Sequence, residues 1–464
     1  MADEPKVLER ERPVVDEALL RANTDQNLPA VARRESVPDT LVPQARQQTG
    51  AVGQRVTRTD ARQHGLGQTR YIDDLSLPRM LYARIKRAGI ASARIKRIDT
   101  SAAEAMPGVM AVLVGSEIPV NSFGPMLQDQ PVLADPIVRH AGDGVAAVAA
   151  VTEQIANEAL EKIVVEYEPL PAVFDPVEAM RDDAHKVHAP ASNIYISKVI
   201  RKGDVAKGFA KSDHVFEGRF STQMVEHAPI EPHAAIADWD ANGRLTVWAT
   251  NGRITLARSD LARTLMLPLN RIRAIGTIVG GSFGGKNEIS QEPVLALLSK
   301  KTGRPVKGVF TRTEEFIATT TRHPFVMEYK TGVTKDGRIL ARSVQLTLDG
   351  GAYCSWTETA LGKACILAAG PYRIDNIHCE ARAIYTNKTM AGAFRGFGAP
   401  QVCFAYESQM DDIAKALGID PLEIRLRNVF AEGSPSPTGQ VLHSVVVKES
   451  LLQAAARFGW EARS

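Results

Sequence analysis

The stretch with the most chemical potential is VGGSFGGKNE, in which Gly280 to Lys286 read G-G-S-F-G-G-K. Gly280, Gly285 and Lys286 satisfy the opening of a phosphate-loop pattern, G-x-x-x-x-G-K. That loop requires Ser or Thr next, because the hydroxyl ligates magnesium beside the phosphates. Here the next residue is Asn287, and no acidic strand end offers the metal a partner, which argues against a nucleoside triphosphate. The glycines keep a second use, since they let a flat or anionic ligand approach the backbone closely. The run follows a strand-like IRAIGTIV and precedes a helix expected near Glu292, whose N-terminus would favour phosphate. A tight turn without a ligand is the competing reading.

A second unusual run, AGAFRGFGAPQ at 391–401, sets Arg395 between Phe394 and Phe397 among glycines. A guanidinium exposed beside two aromatic rings suits a planar or anionic ligand. The segment EHAPIEPHAA offers Glu226, His227, Glu231 and His233. Their spacing fits no common zinc pattern, and the prolines between them indicate an extended, packed segment. The basic runs RIKR are expected to be solvated strand ends. No Ser-His-Asp arrangement follows from the spacing.

The elements that must position these loops give an α+β chain. Its 464 residues suggest about three domains on the length prior. A net charge of +3 gives no reason to invoke nucleic acid or an acidic membrane surface. No apolar run is long enough to span a membrane, and the N-terminus lacks a signal-peptide core, so a cytoplasmic location is expected. Cys354, Cys365, Cys379 and Cys403 are scattered, which argues against a disulfide framework, a zinc site or a Cys-ligated cluster in this chain.

Residues 1–52 form a polar, proline-broken arm. Residues 53–175 alternate strand and helix patterns, with Thr152 as N-cap of TEQIANEALEKI and Ile155, Ala159 and Ile163 on its apolar face. A connector follows at 176–196. In the larger α+β region, 197–464, Asn242-Gly243 and Asp336-Gly337 are hairpin signals. Helices are expected at ITLARSDLARTLML, at EPVLALLSKKTG stopped by Gly303, and at AYESQMDDIAKALG stopped by Gly418.

GGSFGGK and AFRGFGAPQ, in this order, resemble the signature loops of the molybdenum-binding large subunit of the xanthine dehydrogenase (molybdenum hydroxylase) family. YIDDLSLPRMLYARIKRAGIASARIKRIDTSAAEAMPGVMAVLVGSE, GDGVAAVAAVTEQIANEALEKIVVEYEPLPAV and VEHAPIEPHAAIADW agree, so the resemblance runs over 53–464. It implies a small hammerhead-like α/β domain over 53–175, then the first half of a molybdopterin-binding α+β domain over 197–464. The arrangement is similar to the split form of nicotinate dehydrogenases.

By that resemblance, Gly281, Phe283 and Gly284 lie at the molybdenum's ligands, Arg395 touches the cofactor, and a flat substrate packs on Phe397. Asn287 and Lys363 match pocket positions that are Glu and Arg in purine-oxidising relatives. The glutamine that stands near the metal in the family has only Asn251 or Gly252 as its counterpart. Molybdenum is held through the pterin and not by side chains. The pterin form is left open, the cytosine dinucleotide included. The family's catalytic glutamate belongs to the half that the resemblance does not reach, so the base is expected on a second molybdopterin-binding chain. Iron–sulfur and FAD subunits are implied for carrying electrons away.

The expected activity is hydroxylation of an aldehyde or (hetero)aromatic ring with oxygen from water. Two alternatives stay open: a reductive aryl-thioester reductase-type subunit, and a non-catalytic assembly or cofactor-storage protein. The carbon monoxide dehydrogenase branch, which carries a cysteine in the second loop, does not fit AFRGFG.

Overall fold

A computed structural model describes residues 57–460. The arm expected over 1–52 lies outside the described residues. Residues 57–69 carry one short helix, Ala61–Gly65, and a separate compact unit begins at Arg70.

Within that second unit the largest sheet has seven strands. Their spatial order is Ile272–Gly276, Leu245–Ala249, Ala234–Trp239, Val306–Val309, Leu81–Arg87, Gly144–Ala150 and Val109–Val114. Leu81–Arg87 runs parallel to Val306–Val309, with Leu81 opposite Val306. Strands from both sides of the sequence change near 175 therefore share one sheet. The strand composition explains this. Gly144–Ala150 is buried at six successive positions and Ala234–Trp239 at its first four, a pattern that demands neighbours on both edges and cover on both faces. Helix Glu292–Thr302 supplies cover, with Val294, Leu295 and Leu298 packed into the same core as Leu113, Ala147, Leu245 and Val247.

A second sheet orders its strands Ile194–Lys202, Asn376–Tyr385, Ile339–Gly351, Phe325–Val333 and His214–Thr222. Its apolar face packs on helices Thr357–Leu367 and Ala399–Leu417 through Phe325, Tyr329, Leu346, Ala360, Ala364 and Val402. A third sheet joins Ile137–Val138, Ala93–Asp99 and Val164–Pro169.

The turn chemistry holds where the sequence marks it. Gly243 (φ 75°) closes the antiparallel hairpin between Ala234–Trp239 and Leu245–Ala249, and Gly337 (φ 79°) does the same for Phe325–Val333 and Ile339–Gly351. Gly303 and Gly418 end their helices in the left-handed region, and the Thr152 side chain accepts the Ile155 N–H.

The first RIKR run differs from the expectation of a solvated strand end. Arg87 is held inside by Glu314 at 3.0 Å, and Arg84 meets Glu153 at 2.8 Å. The strand carrying them lies mid-sheet, so its charged ends are covered and must be paired. Cys354, Cys365 and Cys379 are buried free thiols, and Cys403 is exposed. No helix among the described residues is long and apolar enough to cross a membrane.

One short ladder decides where the glycine loops end up. Thr321–Arg322 pairs antiparallel with Val225–Glu226, and the Thr321 carbonyl accepts the Gly392 N–H at 2.9 Å. It draws residues 225–233, 319–323 and 390–398 to one place.

Candidate active site at two glycine loops

The loops touch directly. The Arg395 N–H donates to the Phe283 carbonyl at 2.9 Å. A Cβ on Gly284 would stand 2.6 Å from the Ala393 carbonyl oxygen, and Gly284 sits at φ 108°, so neither space nor backbone permits a side chain. Phe283 and Phe397 hold left-handed backbones (φ 50° and 48°), a strained state for a bulky residue. In Phe283 that conformation leaves the ring 50% exposed. The amides of Gly281, Ser282, Phe283 and Gly284 have no hydrogen-bond acceptor among the described residues.

Support comes from the EHAPIEPHAA segment. The Glu231 carboxylate accepts the Gly280 N–H (2.7 Å) and the Lys286 ammonium (3.2 Å), while the Glu231 carbonyl takes Lys286 Nζ at 2.6 Å. Lys286 is fully buried, so the lysine of the phosphate-loop pattern is spent on holding the loop. His227 Nε2 donates to the Ala393 carbonyl (2.8 Å), and its ring stacks on Phe394 with centroids 4.1 Å apart. Burial lowers the His227 pKa to about 4, so the ring is neutral at pH 7 and its Nδ1 is an unprotonated acceptor. His233 pairs with Glu315 at 2.9 Å. Among the described residues no group of metal-ligating side chains assembles. At the entry of the helix near Glu292, the Glu292 carboxyl accepts the Ser290 N–H (2.6 Å).

Several cations near the loops, Arg253, Arg322, Lys363 and Arg395, lack an ion-pair partner among the described residues. Arg395 is exposed and offers a free guanidinium. The cation lying on Phe394 is Arg322, with Cζ 3.8 Å from the ring centroid and Nη2 donating to the Arg395 carbonyl at 3.1 Å. Lys363 is exposed on helix Thr357–Leu367. The same helix seats the second loop, since a Cβ on Gly398 would meet the Ala360 carbonyl at 2.5 Å and Ala364 Cβ at 2.9 Å. Phe397 is half-buried against that core.

Asn251 is buried, and both ends of its amide are in use: Nδ2 donates to the Glu288 carbonyl (3.0 Å) and Oδ1 accepts the Arg253 N–H (2.7 Å). One Nδ2 hydrogen remains for a ligand. Asn287 is half-buried and faces Gly252, where a Cβ would come within 3.0 Å of Oδ1.

Sequence reasoning missed Arg253, Arg322 and Glu288. Glu288 accepts the Ser355 hydroxyl at 2.6 Å, while its Oε2 has no partner among the described residues. Burial drives its pKa up to about 7. Glu288 stands next to Asn287 in NEISQEP, yet nothing in that string distinguishes a buried carboxyl from a surface one.

A chain with two touching glycine loops, free backbone amides and unpaired cations can hold a large anionic group at its backbone, and comparison with known proteins names the class. Residues 66–171 match the family "Aldehyde oxidase and xanthine dehydrogenase, a/b hammerhead domain", and residues 185–429 match "Molybdopterin cofactor-binding domain". The chain belongs to the xanthine dehydrogenase family of molybdenum-dependent oxidoreductases, as a molybdopterin-binding subunit.

It is 40% identical to the nicotinate dehydrogenase large molybdopterin subunit of Eubacterium barkeri, across 87% of this chain and 95% of that protein. It is 34% identical to the xanthine dehydrogenase molybdenum-binding subunit of Escherichia coli, across 88% of this chain and 56% of that one. The solved aldehyde oxidoreductase of Desulfovibrio gigas superposes with a TM-score of 0.84 at 31% identity, covering 88% of this chain and 46% of its own. Quinoline 2-oxidoreductase of Pseudomonas putida 86 gives 0.84 at 32%, covering 88% and 54%.

The residues present fit a molybdopterin. A phosphate-bearing pterin needs close backbone approach, unused N–H donors and positive charge. The Gly284–Ala393 contact, the free amides of 281–284 and the exposed Arg395 supply those features.

Proposed function

We propose that this chain is the large molybdopterin subunit of a multi-subunit hydroxylase that oxidises an acidic or polar (hetero)aromatic, or an aldehyde, in preference to a purine. The net change would be RH + H₂O → ROH + 2e⁻ + 2H⁺. When bound, the molybdopterin supplies the two-electron sink, from which iron–sulfur and flavin subunits would carry the electrons away. Gly281, Phe283, Gly284, Arg395 and Asn251 would hold the cofactor, as molybdopterin itself or in its cytosine dinucleotide form. Phe397, Asn287 and Lys363 would shape the substrate end. A second molybdopterin-binding chain would contribute the base that removes a proton from water, in a cytoplasmic complex. Coverage of 95% of the Eubacterium barkeri subunit, against about half of the other relatives, supports that division.

The observation that carries the reading is the set of cations without ion-pair partners near the loops, with Asn287 where a carboxylate would be needed to stabilise charge on a purine ring. An uncharged amide cannot do that, whereas unpaired cations favour an acidic substrate. The test is steady-state kinetics on the complex purified with its neighbouring subunits. Near-stoichiometric molybdenum and a higher kcat/KM for nicotinate-like acids or aromatic aldehydes than for xanthine are expected. Faster xanthine turnover overturns the pocket reading, and absence of molybdenum favours a non-catalytic assembly role.

A further inference from the structure

Arg253 follows Gly252, the residue that Asn287 Oδ1 faces. Three segments meet around Lys286–Glu288. From one side the Gly252 N–H donates to the Lys286 carbonyl at 2.8 Å, and Asn251 holds the Glu288 carbonyl. From another, Ser355 bonds the Glu288 carboxyl. The residues that follow these contacts, Arg253 and Trp356, then meet each other: Arg253 Cζ lies 4.6 Å from the Trp356 ring centroid. The Arg253–Trp356 pair thus brackets the strand of chain that carries Asn287. Lys363 lies seven residues beyond Trp356, on the same face of its helix but about 10 Å farther along.

Arg253 also stands where electrostatics disfavours a cation. It is the N-cap of helix Ile254–Thr264, whose first turn contains no acidic residue. The positive end of that helix and the guanidinium repel each other, and no carboxylate among the described residues relieves them. The indole of Trp356 holds the guanidinium in place, while Trp356 Nε1 is buried without an acceptor. A guanidinium with no ion-pair partner among the described residues, set at a helix N-terminus, favours an anion. Local conflicts of this kind are kept where a ligand resolves them.

We propose that Arg253, stacked on Trp356, receives the carboxylate of the acidic aromatic substrate and so sets the enzyme's preference for acids. A bidentate guanidinium–carboxylate pair fixes the ring's orientation in its plane, which a lysine cannot do. Asn287, beside it, then meets a ring heteroatom or C–H edge and has no charge to balance. The assignment rests on the preceding reading of the loops as a hydroxylase site.

The test is calorimetric titration of the assembled complex with nicotinate and with its neutral isostere nicotinamide, a measurement that needs no turnover. Arg253→Ala is expected to lower the nicotinate-to-nicotinamide affinity ratio by roughly 10- to 100-fold. Arg253→Lys is expected to fall between wild type and alanine. Arg253→Gln, which keeps the aliphatic stem and a polar planar end, guards against a folding defect and is expected to match alanine. If wild type prefers nicotinate and the variants keep its ratio, the assignment of Arg253 fails while the hydroxylase reading stands. If wild type binds both compounds equally, the acidic-substrate reading fails with it.

Discussion

Arg322 lies over Phe394 with its guanidinium carbon 3.8 Å from the ring centroid, while Arg395, the next residue in the chain after Phe394, is exposed. The two arginines therefore divide the work, Arg322 fixing the loop and Arg395 facing outward. Replacing Arg322 by Ala removes the stacking and the hydrogen bond to the Arg395 carbonyl, an expected loss of about 2 kcal/mol. Thermal denaturation of the purified chain reads this directly; an unchanged Tm would show that His227 alone holds the loop.

Arg395→Ala is expected to behave in the opposite way. The Arg395 side chain makes no hydrogen bond or ion pair among the described residues, so the Tm of the isolated chain should move little. In the assembled complex the pterin content, measured as its fluorescent oxidation product, should fall severalfold because several charge-assisted donors are lost. Full pterin content in that variant removes Arg395 from the cofactor site.

Gly284→Ala forces a Cβ to 2.6 Å from the Ala393 carbonyl at φ 108°. The loops must separate, at an expected cost of about 2–4 kcal/mol. Gly303→Ala is the control, since nothing lies within 4 Å of its Cβ and only the left-handed backbone (φ 62°) resists the change. Comparable destabilisation of the two variants would mean that the Gly284 contact is soft.

Glu288 gives a pH signature. Its folded pKa, about 7, is raised from 4.5, so the native state holds the proton more tightly than the unfolded chain. The associated stability is present below pH 4.5 and is lost as the pH rises through 7. The loss amounts to about 3 kcal/mol. Glu288→Gln cannot titrate, so its stability relative to wild type should rise steadily between pH 4.5 and 7 and then level off. A flat difference in denaturant midpoint over that range would show that the carboxyl is not desolvated.

Much of the fold could be read from local chemistry. Asn242-Gly243 and Asp336-Gly337 are hairpins because only such pairs adopt their backbone angles cheaply, and Gly303 and Gly418 end helices for the same reason. The two glycine runs were likewise visible, since glycines clustered between a strand and a helix mark turns and close backbone approach. Sequence also excluded a phosphate loop at Asn287, and the structure supplies a further reason in the burial of Lys286 against Glu231.

What the tertiary structure alone decided is which side chains surround those loops. Arg253 and Trp356 are about a hundred residues apart in sequence, and Arg322 and Phe394 some seventy, so no period or motif links either pair. Nor could the string mark Gly144–Ala150 as sharing a sheet with Ala234–Trp239, because a doubly buried strand shows its need for neighbours but not their identity. The pKa of Glu288 is set the same way. A carboxyl's charge state depends on water being excluded around it, and that exclusion exists only once chain segments from 251, 288 and 355 have packed together.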